Sequence, residues 1–528
     1  MTDERIASAW ALLPDYLGQH ILLSVSALAI GLTVGLSLAI IGVWSPRLRW
    51  FFLTAAGLIQ TIPGLALLAL FYPVLLALSV VTDKMFGVSF SALGFLPALL
   101  ALALYSILPV LRNGVVGILG VDKDVKEAAR GVGMTPRQRL FRVELPLAMP
   151  VIMAGIRTSA VWAIGTATLS TPIGQASLGN YIFSGLQTQN WVFVAFGCIA
   201  AVALALTVDL CLALIERGFA QRNRWFKLSG VFGVAAVLSA GLISESAQES
   251  SRYIIGGKTF AEQYILASLI ERRLQDAGMN ATRRVGLGST VIFDALAAGE
   301  IDAYVDYSGT IWSNFMHRTE NASHKEVLSL VGSWLQRTHR VTSMGPLGFN
   351  NAYALAMRRD YAERLNIHTI ADLARYAATL SIAGDYEFFD RPEWKKLRDA
   401  YGIEFRKTRI MQPNFMYKAV ADGAVDVIAG YTSDGQIAQY DLVVLGDPKQ
   451  SLPPYDAILL LSPKRIGDEK FRRALDPLIG KISTRKMQEA NLSVSRENGQ
   501  LTPEQAADWL LHMIIPCPRG RSVHCRFN

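Results

Sequence analysis

Charge is distributed so unevenly along this chain that its two halves suit different solvents. Residues 1–247 hold 16 Lys/Arg and 11 Asp/Glu, whereas residues 248–528 hold 35 and 32. Between the sparse charges of the first half run apolar stretches long enough to cross a bilayer core, which takes about 20 helical residues. Spans are expected near 20–43, 51–75, 92–118, 147–169, 191–215 and 228–244. Lipid offers backbone groups no hydrogen-bond partner, so these spans must be helices. The second half has the composition of a water-exposed globular domain. The net charge of +8 is spread over both halves, and no stripe of interleaved aromatic and basic residues suits nucleic acid.

Basic residues orient the spans. Segments 44–50, 119–146 and 216–227 contain 12 of the 16 basic residues of the first half. Six spans put all three segments on one side, the cytoplasm. The N-terminus and everything after residue 247 then lie outside. Three charges fall within spans. Arg112 and Asp209 lie near cytoplasmic ends, within reach of the interface. Arg157 is nearer mid-span, so it faces protein or a watery cavity; a structural partner is its simplest role.

The segment 119–146 carries Glu127-Ala128-Ala129, then Gly133, then Val143-Glu144-Leu145-Pro146. Two alanines allow a short helix to pack closely, Gly133 permits a sharp turn, and Pro146 suits the first turn of the next span. This spacing resembles the EAA loop of bacterial ABC importers. The resemblance implies a coupling helix docked on an ATPase through Glu127, Ala128, Ala129, Gly133, Leu145 and Pro146. Ile59-Gln60-Thr61-Ile62-Pro63, Leu104-Tyr105-Ser106-Ile107-Leu108-Pro109 and Leu178-Gly179-Asn180-Tyr181 extend it. Over residues 20–216 the chain is similar to the permeases of glycine betaine/carnitine/choline importers. That implies a type I importer fold, a homodimer and a bacterial cytoplasmic-membrane location.

Residues 222–248 combine a basic start, an apolar run and small residues, the pattern of a secretory signal peptide. Ser244-x-Ser246 and Glu245-x-Ala247 are poor to fair cleavage sites, so retention as a sixth span is expected over release. Either outcome places the second half outside the cytoplasm.

That half alternates strand and helix: strands at 253–257, 283–288 and 301–307, helices at 262–275 and 291–298. Such alternation suits an α/β fold with a largely parallel sheet, and about 280 residues suffice for two lobes. Gly256-Gly257-Lys258-Thr259 is not a phosphate-binding loop, because the required upstream glycine is Arg252. No other such loop occurs, so ATP hydrolysis is expected on a separate chain. Thr259-x-x-Glu262 reads as a capping box opening a helix, with Lys258 beside its N-terminus.

Lys258-Thr259-Phe260-Ala261-Glu262-Gln263, Asp306-Tyr307-Ser308-Gly309-Thr310, Phe349-Asn350-Asn351-Ala352-Tyr353, Ala429-Gly430-Tyr431-Thr432-Ser433 and Leu452-Pro453-Pro454-Tyr455 resemble, in order, the binding proteins of the same importers. The resemblance implies a type II periplasmic-binding-protein fold and a cage for a trimethylammonium group at Tyr307, Tyr353, Tyr431 and Tyr455. A quaternary ammonium has no N–H to donate, but the π-faces of rings attract its charge, by about 0.5–2 kcal/mol each. Lys258, Arg391, Thr310 and Gln263 are the candidates for the ligand carboxylate, and Asn351 for a further polar contact. The ligand is a betaine-type solute such as glycine betaine, with choline, carnitine and ergothioneine as alternatives.

No catalytic constellation, metal-ligand spacing or cofactor motif occurs. Cys517 and Cys525 are eight positions apart in the tail, and an extracytoplasmic compartment permits a disulfide. The expected organisation is a permease over 1–221, a sixth span or signal-like linker over 222–250 and a binding domain over 251–528. Its lobes are 251–355 with 456–528, and 356–455. The rival reading is a membrane-tethered sensor, against which the EAA loop argues.

Overall fold

The computed structural model describes residues 2–87, 90–188, 190–245, 253–318, 320, 322–496 and 499–514. The chain divides into two compact units, Met1–Leu186 with Asn190–Glu249 and Gln187–Gln189 with Ser250–Asn528. Ser246, Ala247, Cys517 and Cys525 lie outside the described residues, and with them the cleavage and disulfide expectations.

The first unit is helical. Among the described residues five stretches are long and apolar enough to cross a membrane: Arg5–Trp44, Gly64–Phe86, Phe95–Leu119, Pro136–Ile173 and Trp191–Ala220. The span expected at 51–75 is displaced. A helix over Pro46–Thr61 stops at Ile62, whose backbone is extended (φ −72°, ψ 128°). Pro63 excludes the helical conformation from the residue before it, so the membrane-length helix starts afresh at Gly64. The first helix is longer than expected and runs unbroken from Thr2 to Trp44. Residues 228–244 lie inside a helix over Arg224–Glu245 that packs on Thr2–Trp44 and Trp191–Ala220. It is not one of the five stretches above. Small residues let helices approach closely: a Cβ at Gly114 would lie 2.7 Å from that of Ala39, and one at Gly230 only 2.5 Å from the Cys211 carbonyl oxygen.

The loop over 119–146 is ordered by its caps. Asp122 opens a helix over Lys123–Gly131 by accepting from the Asp124 N–H. Gly133 turns the chain at φ +78°, a conformation that costs other residues roughly 1 kcal/mol or more. Thr135 and Gln138 close a reciprocal capping box on the next turn. An Arg139–Glu144 ion pair of 2.6 Å leads into the helix Leu145–Ala167, with Pro146 in its first turn.

The second unit has two five-stranded sheets. The first contains β1 (Tyr253–Lys258), β2 (Ala281–Leu287), β3 (Ala303–Tyr307), β4 (Thr342–Asn350) and, late in the chain, β10 (Asp456–Leu461), in the order β2-β1-β3-β10-β4. The second contains β5 (Tyr353–Arg358), β6 (Ser381–Gly384), β7 (Lys407–Ile410), β8 (Val427–Tyr431) and β9 (Leu442–Val444), in the order β7-β6-β8-β5-β9. Both sheets are mixed rather than largely parallel, because β10 runs antiparallel between β3 and β4, and β5 antiparallel between β8 and β9. A strand that returns from another lobe has no crossover helix to reverse it, so it enters antiparallel. The helix Ala261–Asp276 buries Ile265, Leu266, Leu269, Ile270 and Leu274 in the core, each contributing about 1.5–3 kcal/mol of hydrophobic stabilisation.

The chain passes from the first sheet to the second at Asn351-Ala352, a few residues before the expected break at 355. It returns just ahead of β10. The two crossings are hydrogen-bonded: the Asn351 N–H donates to the Tyr455 carbonyl at 2.9 Å. Such a pair of adjacent crossings is where two lobes can hinge.

Candidate functional site

Each lobe contributes two of the four singled-out tyrosines, at or beside the ends of its strands. Tyr307 closes β3 and Tyr455 precedes β10, its neighbour in the first sheet. Tyr353 opens β5 and lies opposite Tyr431, the last residue of β8, in the second. All four therefore sit at or beside the strand ends nearest the crossings. The Tyr353 and Tyr431 rings are 4.7 Å apart, centre to centre, and Tyr353 meets Tyr455 edge-on at 5.7 Å. Phe260, ahead of the helix Ala261–Asp276, bridges the lobes by lying near-parallel to Tyr307 at 6.2 Å and to Tyr431 at 6.4 Å. Gly309 permits the close fit of this cluster, because a Cβ there would lie 2.7 Å from the Tyr455 ring.

The rings do not surround one open cavity. A cleft between the lobes is lined by Phe260, Glu262, Asn351, Asp385, Tyr431 and Asp434, among others. Tyr307, Tyr353 and Tyr455 are not in its lining; each is at most 4 % exposed and packs against its neighbours.

Three of the phenols donate to carboxylates. Tyr307 donates to Glu262 at 2.5 Å, Tyr431 lies 2.9 Å from an oxygen of Asp385, and Tyr455 donates to Glu393. Burial pushes all three phenol pKa values well above the ordinary range, so the hydroxyls stay neutral donors. Withdrawal of the proton toward a carboxylate enriches the ring and strengthens its pull on a cation. Glu262 is the most heavily bonded of the acids. Its oxygens accept from Tyr307, Asn351 (3.1 Å), Ser433 (2.6 Å) and Asn491 (2.9 Å), so it joins both lobes and a crossing. Burial raises its pKa, against the four hydrogen bonds. Burial also pushes Asp434, which accepts from Tyr417 at 2.5 Å, up to about 7.

The polar candidates divide. Arg391 is 9 % exposed and holds its guanidinium 5.3 Å from the Tyr353 ring centre, inside the aromatic cluster. Asn351 is on the first crossing, and its Oδ1 has no hydrogen-bond partner. Thr310 is buried in the turn after β3. Lys258 is otherwise engaged: it forms a buried ion pair of 2.5 Å with Asp306, which also accepts from Tyr304. Breaking such a pair strands a buried charge, at roughly 3–5 kcal/mol, so in this structure its ammonium is committed to Asp306. Gln263 braces Tyr307 from behind, donating to its oxygen at 3.0 Å and to the Val305 carbonyl. The capping box expected at Thr259 and Glu262 does not form; Phe260 occupies the cap without a side-chain bond, and Glu262 turns into the site instead.

Phe260, Asp385 and Glu393 were not singled out from the sequence. Phe260 stands inside the run Lys258–Gln263, and Glu393 two residues from Arg391; Asp385 carries no local signal. In the first unit, the helix Lys123–Gly131 exposes Glu127 and Ala128 and buries Ala129, and Gly133 is exposed beyond it. Val132, Phe141 and Val125 add exposed apolar surface around them. Leu145 is half-buried and Pro146 exposed.

A membrane-helix bundle with an ordered EAA-type loop, joined to a two-lobed domain with an aromatic cluster at its hinge, defines a solute importer subunit that carries its own receptor. Family models match both parts: the inner-membrane component of binding-protein-dependent transport systems over residues 31–225, and the substrate-binding domain of ABC-type glycine betaine transport systems over 251–511. An ergothioneine transport permease/ergothioneine-binding protein of Helicobacter pylori is 30% identical over 482 residues, 88% of this chain and 84% of that protein. A choline transport permease of Bacillus subtilis is 40% identical over 199 residues, 38% of this chain and 84% of its own. A solved glycine betaine/carnitine/choline ABC transporter structure is 26% identical, covering 50% of this chain and 99% of that one at a TM-score of 0.45. The chain belongs to the family of ABC importer permeases fused to their substrate-binding protein.

Proposed function

We propose that this chain imports a quaternary-ammonium compatible solute such as glycine betaine across the bacterial cytoplasmic membrane. The observation that carries this reading is the cluster of Tyr353, Tyr431 and Tyr455 with Arg391 against Tyr353 at the lobe junction, to which Phe260 joins Tyr307. Three of these phenols are braced by carboxylates. A cation that cannot hydrogen-bond is held by electron-rich rings, and its carboxylate by Arg391 with Thr310 or Asn351 in support. The packed rings leave no room for a trimethylammonium between them, so the ligand enters when the lobes part, and closure on it brings two tyrosines from each side. Contacts available only in the closed form make the ligand favour closure.

In this reading residues 1–221 are the permease, 222–250 the sixth span or linker, and 251–528 the extracytoplasmic receptor. Two copies form the pore. A separate cytoplasmic ATPase docks on Glu127, Ala128, Ala129 and Gly133, with Leu145 and Pro146 fixing the following span. The test is calorimetric titration of the purified chain with glycine betaine, choline and carnitine. Micromolar binding of at least one supports the reading, and no binding of any quaternary ammonium removes it. A second reading, ergothioneine as the cargo, is favoured by the full-length relative with the same fused organisation. That compound is also a trimethylammonium carboxylate, and adding it to the titration decides between the two.

A further inference from the structure

An ion-pair network stands within the membrane helices. Arg157, on Leu145–Ala167, bonds both oxygens of Asp209 at 2.8 Å and reaches Glu216 at 2.7 Å, both on Trp191–Ala220. Arg157 is 12 residues into its helix, about 18 Å along it at 1.5 Å per residue. A pin between two helices needs one carboxylate. Here there are two, which leaves the group one negative charge in excess. Three of the five guanidinium N–H donors are used. The three side chains are 31%, 31% and 26% exposed, which hydrocarbon does not tolerate, so this face meets water or another protein surface.

A shallow, largely open groove lies beside the network, lined by Ala154, Arg157, Thr158, Val161, Trp162 and Asp209. Trp162 is 56% exposed and is one turn beyond Thr158 on the same helix. Indole has the most cation-attracting ring of any side chain. The groove thus combines an aromatic face and excess negative charge for a cation with two remaining guanidinium donors for a carboxylate.

We propose that Trp162, Arg157 and Asp209 form a second recognition site for a small zwitterion on the permease helices, distinct from the aromatic cluster of the binding domain. The ligand's quaternary nitrogen rests on Trp162 near Asp209, and its carboxylate takes the two spare N–H groups of Arg157. This rests on the import reading above, which supplies the ligand class. A cargo released from the receptor is met in the membrane by the same pair of chemistries, so the pore discriminates by charge pattern as well as by size.

The test uses the full chain with its ATPase in proteoliposomes, comparing uptake of glycine betaine with that of choline, which has no carboxylate. Calorimetry on the same variants follows binding at the receptor. Trp162→Leu should lower uptake of both about tenfold, and Trp162→Phe should recover most of it, with receptor affinity unchanged throughout. Arg157→Lys keeps a charge for Asp209 but loses the forked donors; it should lower betaine uptake about tenfold relative to choline uptake. Native uptake by Trp162→Leu overturns the site. So does an equal fall for both ligands in Arg157→Lys, the result expected of a helix pin. Either outcome with receptor binding intact leaves the import reading standing, whereas a native assembly that binds and carries neither ligand overturns both.

Discussion

Replacing Arg391 by Met separates the two halves of the recognition chemistry. The Arg391 side chain is 9 % exposed, and its guanidinium carbon is 5.3 Å from the Tyr353 ring centre. Methionine keeps much of the apolar stem and removes only the charged fork. A charge-assisted hydrogen bond in such surroundings contributes about 1.5–3 kcal/mol, so the Kd for glycine betaine should rise roughly 10- to 150-fold. Choline presents the same trimethylammonium without a carboxylate. Its affinity should hold or improve, because removing a cation leaves Asp385 and Glu393 to favour the ligand's positive charge. The assay is calorimetric titration of the full chain with both ligands, after thermal unfolding has shown the variant to be folded. Equal weakening of both would assign Arg391 to packing on Tyr353, and unchanged betaine affinity would remove it from the site; either result refutes the reasoning.

Tyr431→Leu, at a half-buried position lining the cleft, should weaken either ligand about 2- to 30-fold by loss of one cation–π contact, read by the same titration. Asp434 bears on stability. Its pKa is about 7 in the folded domain, against about 3.9 in an unfolded chain. Between these values the folded form holds a proton that the unfolded form has lost, so stability falls as pH rises through the window. The melting temperature should drop from pH 5 to pH 8, and Asp434→Asn should flatten that slope. Gly133→Ala, at φ +78° in open space, should cost about 1 kcal/mol locally. Ligand-stimulated ATP hydrolysis should fall several-fold in the reconstituted assembly while receptor affinity, measured by calorimetry, stays unchanged.

What local pattern controls was legible in the sequence. Bilayer-length apolar runs, the clustering of basic residues between them, and the strand–helix alternation after residue 250 depend on neighbours within about 20 positions. So do the turn at Gly133 and the start of a span at Pro146. The break at Pro63 is equally local and lies inside the run Ile59–Pro63. Apolar residues flank it on both sides, yet one proline suffices to stop a helix at the residue before it.

The partners of the site residues were decided by the tertiary structure. Lys258 and Asp306 are 48 positions apart, and neither announces that their charges cancel in the core. Glu262 has the spacing of a helix cap, yet folding brings Ser433 and Asn491 within reach, and those bonds outcompete the local one. Asp385 and Glu393 join the cluster because β6 and the helix Pro392–Tyr401 bring them to the crossings, beside Tyr431 and Tyr455. Side-chain types and short spacings specify which chemistry a chain can offer. Which charges are spent on each other, and which are left to meet a ligand, depends on groups distant in sequence that only packing makes neighbours.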